Sequence, residues 1–102
     1  MIEISYDRRY YSVTVKGHAG AAEAGHDIVC AGVSALVYAL CTRGSIRFHA
    51  QCDNLTGGDA FVRCYPRQGE EALCREMLET GMTGLRAIAR TYPEYVTVRE
   101  AE

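Results

Sequence analysis

The chain has 102 residues, 48% of them hydrophobic and 24% charged, with a formal net charge of −2. This length supports one domain over 1–102 with one modest core, and the composition is that of an ordinary globular protein. The mildly acidic balance argues against a general nucleic-acid binder, which presents a basic face, and it leaves room for a basic partner.

Residues 2–6 and 10–16 alternate with period two around the polar break Asp7-Arg8-Arg9, which predicts a β-hairpin. The first run carries no basic region followed by an apolar stretch, so it is not read as a signal peptide, and the expected location is cytoplasmic. No apolar run is expected to approach the ~20 residues of a membrane span. Segment 17–26, GHAGAAEAGH, holds three glycines and four alanines. It is too long and too small-sided for a tight turn, and it is read as a flexible loop that either meets a ligand or merely connects.

Asp27 is placed to cap a helix running to Cys41 or Thr42. Val29, Val33, Leu36, Val37 and Leu40 form its apolar stripe, and Gly44 is its expected stop. Ile46, Phe48 and Ala50 predict a third strand, 54–59 a turn, and 61–65 a fourth strand that closes a second hairpin. Residues 70–92 predict a second helix with Leu78, Leu85, Ile88 and Tyr92 near one face. Gly81 and Gly84 weaken it, so close packing against a neighbour is the expected reason for them. Pro93 ends it, and 95–98 is a short last strand. The order ββαββαβ predicts an α+β two-layer sandwich: a mostly antiparallel sheet with two helices packed on one face.

Within this frame His18 stands at a strand end, and Cys30 follows it by twelve residues. With Asp27 as N-cap, Cys30 falls at the third helical position. A thiol attacks a carbonyl carbon as its thiolate, and an unperturbed cysteine, with a pKa of ~8.5, is mostly protonated at neutral pH. A helix N-terminus and a nearby imidazolium both favour the thiolate. His18 is therefore the candidate base toward the thiol and acid toward a leaving amine. N–H groups at the helix start are candidate oxyanion donors, and Ser34, one turn on from Cys30, is a candidate supporting hydrogen bond. Asp27 has two candidate roles, helix cap or orienter of His18.

Plainer readings stand beside these. Cys30 between Val29 and Val33 also suits a buried helix cysteine, and His18 a surface histidine. His26 reads as a loop residue, and His49 as solvent-facing. The five cysteines, Cys30, Cys41, Cys52, Cys64 and Cys74, are odd in number and lack a C-x-x-C pair. That argues against a disulfide framework or zinc ribbon, and most of them are expected to be small core residues. A mixed metal set of His18, His26, Asp27 and Cys30 matches no common zinc spacing, so no metal or cofactor is expected.

The stretch resembles the signature of the ribosomal-processing cysteine protease family, Prp: G-H-A, a glycine-containing loop, then G-x-D-x-V-C-A-x-V/A-S. Gly17, His18, Ala19, Gly25, Asp27, Val29, Cys30, Ala31 and Ser34 match it as they stand, and Gly57-Gly58 falls where similar proteins carry a glycine pair. The resemblance implies a Cys30 nucleophile with a His18 base. It also implies a homodimer acting on the N-terminal extension of the ribosomal large-subunit protein numbered twenty-seven. Cleavage would follow an aromatic residue and precede a small-residue and lysine-rich stretch. The loop bearing Gly17, Ala19 and Gly25 would meet that substrate. The alternative is a non-enzymatic ribosome-associated module that holds a peptide with the same loop.

Overall fold

Ile2, Ile4 and Tyr6 alternate with Glu3 and Ser5, and this pattern builds β1 (Ile2–Asp7) with one buried and one exposed side. The computed structural model describes residues 1–17, 27–53 and 59–101. β1 is followed by β2 (Ser12–Lys16), α1 (Ile28–Phe48), β3 (Gln51–Asp53), β4 (Ala60–Arg63), α2 (Glu71–Thr91) and β5 (Val96–Ala101). The predicted element order is the observed one. The Asp7 carboxylate accepts from the N–H groups of Arg9 at 2.9 Å and Tyr10 at 3.3 Å, which is how the polar break turns the chain.

The strands form one sheet in the order β3-β4-β2-β1-β5. β1–β2, β2–β4 and β3–β4 pair antiparallel, and β1–β5 is parallel. Ile2, Ile4, Tyr6, Val13, Val15, Val62 and Val96 line the buried face, and both helices pack over it. The predicted α+β sandwich is borne out, with one parallel edge in its mostly antiparallel sheet.

α1 runs further than the sequence predicts. It continues through Gly44 to Phe48 and closes on His49, whose backbone is left-handed at φ 52°. Gly44 is a point of close approach rather than a stop. A methyl there would stand 3.0 Å from both the Ala50 Cβ and the Cys64 Sγ. Ile46 and Phe48 therefore belong to the last turns of the helix, and β3 begins only at Gln51. Burial decides this: Phe48 is 2% exposed and extends the stripe of Val33, Val37, Leu40, Cys41 and Gly44. At 21 residues α1 is also long and apolar enough to cross a membrane, contrary to the expectation of no such run. Its apolarity is partly explained by the side seated on the sheet.

α2 lies against α1 at the two glycines. A methyl at Gly81 would come within 2.5–2.7 Å of the Leu40 side chain, and one at Gly84 within 2.8 Å of Leu36 Cδ1. The expected close packing is thus observed, with a leucine of α1 seated on each glycine.

The cysteines correct the expectation of unpaired core residues. Cys41 and Cys52 form a disulfide that joins α1 to β3, with their Cα atoms 6.0 Å apart. Cys64 and Cys74 are neighbouring buried thiols. Burial, reinforced by Cys64 beside it, pushes the Cys74 thiol up to about 12, and burial raises Cys64 as well. Both are poor nucleophiles at neutral pH.

A cluster of charges closes the other side of the sandwich. Arg86 pairs with Glu79 at 3.2 Å and with Glu100 at 2.8 Å, while Arg8 reaches the same two carboxylates. The Arg86 guanidinium, and then Arg8, hold the Glu100 carboxyl down at about 2, against an ordinary 4.5. A carboxylate whose pKa is depressed by folding stabilises the fold above its unfolded pKa, and that contribution is lost as pH falls through the folded one. The thermal midpoint should therefore drop between about pH 4.5 and 2 in part through Glu100. Glu100→Gln should flatten that part of the profile in calorimetry across this range.

Candidate active site

Three close approaches place the start of α1. A methyl on Gly17 would collide with the Met1 carbonyl oxygen, so the end of β2 lies against the start of β1. The Ile2 N–H donates to the Tyr95 carbonyl at 2.7 Å, bringing the exit from α2 to the same place. A methyl on Gly32 would stand 3.2 Å from Ile88 Cδ1, so the first turns of α1 lie beside the last turns of α2. Gly17, Asp27 and Cys30 therefore share one end of the sandwich.

At that end Asp27 is the N-cap of α1. Its Oδ1 accepts from the Cys30 N–H at 3.0 Å, and its carbonyl accepts from the Ala31 N–H at 3.1 Å. Such a cap stabilises a helix by about 1 kcal/mol. The capping role of Asp27 is thus realised in the structure. It also commits the Cys30 N–H, so the oxyanion donors expected at this helix end reduce to the N–H groups of Ile28 and Val29, which the helix does not use internally.

Cys30 is half-buried and packs against the edge of the core, whereas Cys64 and Cys74 are fully buried. Of the cysteines outside the disulfide it is the one that reaches solvent, as a nucleophile must. Ser34 is exposed, one turn on. His49 is exposed at the opposite end of α1 and plays no part here. His18, Ala19, Gly25, His26 and the pair Gly57-Gly58 lie outside the described residues. The second catalytic candidate, most of the expected substrate loop and two members of the mixed metal set are among them.

Asp59 is a residue that the sequence reading passes over. Its Oδ1 accepts from the Gly17 N–H at 2.9 Å, across a sequence separation of 42. A carboxylate in a turn, bonded to a backbone group that distant, leaves no local signal. Gly17 itself has φ +88°, a conformation that suits glycine.

Comparison with known proteins bears on this end of the molecule. Residues 1–97 match the family described as Cysteine protease Prp. The ribosomal processing cysteine protease Prp of Staphylococcus aureus is 31% identical over 99 residues, spanning 93% of this chain and 91% of its own. The crystal structure of the essential S. aureus ribosomal processing protease Prp, in complex with a covalently linked product peptide, superposes with a TM-score of 0.81. Its identity is 26%, and the match covers 99% of this chain and 100% of that one. The crystal structure of SMU.848 from Streptococcus mutans superposes at 0.68 with 25% identity, covering 97% of this chain and 90% of that one.

Proposed function

Since the chain belongs to the Prp family of cysteine proteases, we propose that it cuts the N-terminal extension from ribosomal large-subunit protein number twenty-seven before assembly, with Cys30 as nucleophile and His18 as base. The observation that carries this reading is Cys30 itself: a half-buried, solvent-reaching cysteine at the third position of a capped helix. It lies at the same end of the sandwich as Gly17, whose next neighbour in the chain is His18.

The steps follow from ordinary thiol chemistry. His18 takes the Cys30 proton, and the thiolate sulfur bonds to the carbonyl carbon of the scissile peptide while the carbonyl electrons move onto oxygen. N–H groups at the start of α1 stabilise that oxyanion. As the carbonyl re-forms, the C–N bond breaks and the imidazolium gives its proton to the leaving amine. A water that loses its proton to His18 then attacks the thioester, releasing the carboxylate product and returning the thiol.

A lysine-rich substrate suits the net charge of −2. A homodimer, part of the same reading, is supported by the outward face of α1. Ile28, Ala31, Ala35, Tyr38, Ala39, Thr42 and Ile46 form an exposed uncharged stripe, flanked toward the end of α1 by exposed Arg43 and Arg47. The exposed side of α2, by contrast, carries Arg75, Glu76 and Arg90. An uncharged face can meet its own copy without like-charge repulsion. The cytoplasm, where that ribosomal protein is made, is the proposed location. The peptide-binding alternative has no support from a family whose members are proteases.

The test is direct. Purified protein is incubated with the extended ribosomal protein, and the products are weighed by mass spectrometry. The expected outcome is one cut after an aromatic residue that releases the extension. An intact substrate after prolonged incubation would remove the substrate assignment.

A further inference from the structure

We propose that the end of the molecule opposite Cys30 binds single-stranded RNA, with Tyr10 and Tyr65 as base-stacking platforms on either side of Arg63. The net charge of −2 is unevenly spread. The segments that meet at this end, 7–12, 43–51 and 63–76, hold seven arginines against four carboxylates. Three of those carboxylates, on Asp7, Glu70 and Glu71, accept from backbone N–H groups of their own turns. Among the described residues the ion pairs all lie on Arg8 and Arg86, so Arg43, Arg47, Arg63, Arg67 and Arg75 form none.

Backbone bonds assemble the site. The Cys64 N–H donates to the Tyr11 carbonyl at 2.9 Å, and the Tyr65 N–H to the Phe48 carbonyl at 2.8 Å. They draw together the turn after β1, the chain leaving β4 and the end of α1. Arg63 stands on the side of the sheet away from the helices, because Val62 before it is buried beneath them. There its guanidinium carbon lies 5.0 Å from the ring centres of both Tyr10 and Tyr65, and its Nε has no acceptor among the described residues. The two tyrosines are 50% and 44% exposed, so each keeps open surface beyond the arginine it touches.

A single strand stacks its bases on aromatic faces and sets its phosphates on neighbouring cations. Arg47, beside Phe48, and Arg67, two residues past Tyr65, are the cations for that backbone. An acidic peptide would satisfy the arginines and leave the rings unused. Gln51 lies across the ladder from Arg63, and its Oε1 accepts from the Tyr65 hydroxyl at 3.4 Å. Its amino group is left for a ribose 2′-hydroxyl, which DNA lacks.

The experiment follows the fluorescence anisotropy of a labelled single-stranded RNA of about ten mixed nucleotides across a salt series. Wild type is expected to bind at low salt, with affinity falling as salt rises. Tyr10→Ala/Tyr65→Ala is expected to lose about 10-fold or more in affinity with its thermal midpoint unchanged, and Tyr10→Phe/Tyr65→Phe to stay within about threefold of wild type. Arg67→Gln should bind more weakly and reduce the logarithmic salt slope by about 0.7. Peptide turnover is expected to be unchanged by these substitutions, so a failure of the protease reading leaves this proposal standing. No binding by wild type, or undiminished binding by the double alanine variant, would overturn it. Equal affinity for a DNA strand of the same sequence would overturn the ribose contact and the choice of RNA. Displacement of the RNA by an oligoglutamate of equal charge at equal concentration would reduce the site to a non-selective anion surface and overturn it as well.

Discussion

Replacing Cys30 by alanine is expected to abolish peptide cleavage, by about 10⁴-fold or more, and to leave the fold in place. The two halves of this expectation have separate grounds. A methyl group cannot form the thioester, so the covalent route is closed rather than slowed. The side chain, meanwhile, is half-buried at the core's edge, and Val29 and Val33 do the seating of α1 on the sheet. Removing one sulfur there opens no large cavity, and the Asp27 cap binds the Cys30 backbone N–H, which alanine retains. The measurement pairs turnover on the peptide substrate with circular dichroism and calorimetry. Cys30→Ala should bind the peptide as wild type does while failing to cut it. Retained cleavage would require a different nucleophile. Cys64 and Cys74, buried and pushed up in pKa, are poor candidates for that role.

Loss of the Cys41–Cys52 disulfide carries the largest expected effect on stability. Cross-linking residues separated by 11 in sequence restricts the unfolded chain, a constraint of about 3 kcal/mol on chain-entropy grounds. In a domain of this size that corresponds to a fall of about 10–20 °C in the thermal midpoint. The strand it holds is short: β3 spans Gln51–Asp53 and pairs with β4 alone at the sheet's edge. Calorimetry with and without dithiothreitol gives the result for wild type. The Cys41→Ser/Cys52→Ser double variant should start at the lower midpoint and ignore the reductant. A wild type equally indifferent, with five titratable thiols after unfolding without reductant, would show that the bond does not form.

How much of this was legible in the sequence depends on the range of the contacts involved. The period-two runs of β1 and β2, the Asp27 cap and the α2 stripe are set by near neighbours, and residue spacing reads them well. Gly81 and Gly84 were legible as packing sites because a glycine inside a helix is costly unless a neighbour needs the room. Gly44 invited the opposite error. A glycine after an apolar stripe looks like a stop, and only the approach of Ala50 and Cys64 shows it to be a contact point. That error displaced the third strand; the disulfide was missed separately, because an odd cysteine count without a C-x-x-C pair argued against any pairing. At the candidate site, Cys30 and Asp27 were readable because cap and thiol are three residues apart. Asp59 was not, because its partner is brought in by the sheet.

The parallel pairing of β1 with β5 has a consequence for how the molecule comes together. Ile2 to Asp7 meet Val96 to Ala101 residue for residue, so a strand in the interior of the sheet waits for one some ninety residues later, β5. Contacts of such sequence separation must first overcome the entropy of closing a long loop, and they slow folding. Synthesis adds the amino-terminal strands first, at about 5–20 residues per second. β1 and β2 can pair early, but one edge of β1 stays open until Val96–Ala101 are made. The bond from Ile2 to Tyr95 lies at the same end of the sandwich as Cys30. The end of the molecule that carries the reactive thiol is therefore completed only once Tyr95 and β5 have been synthesised.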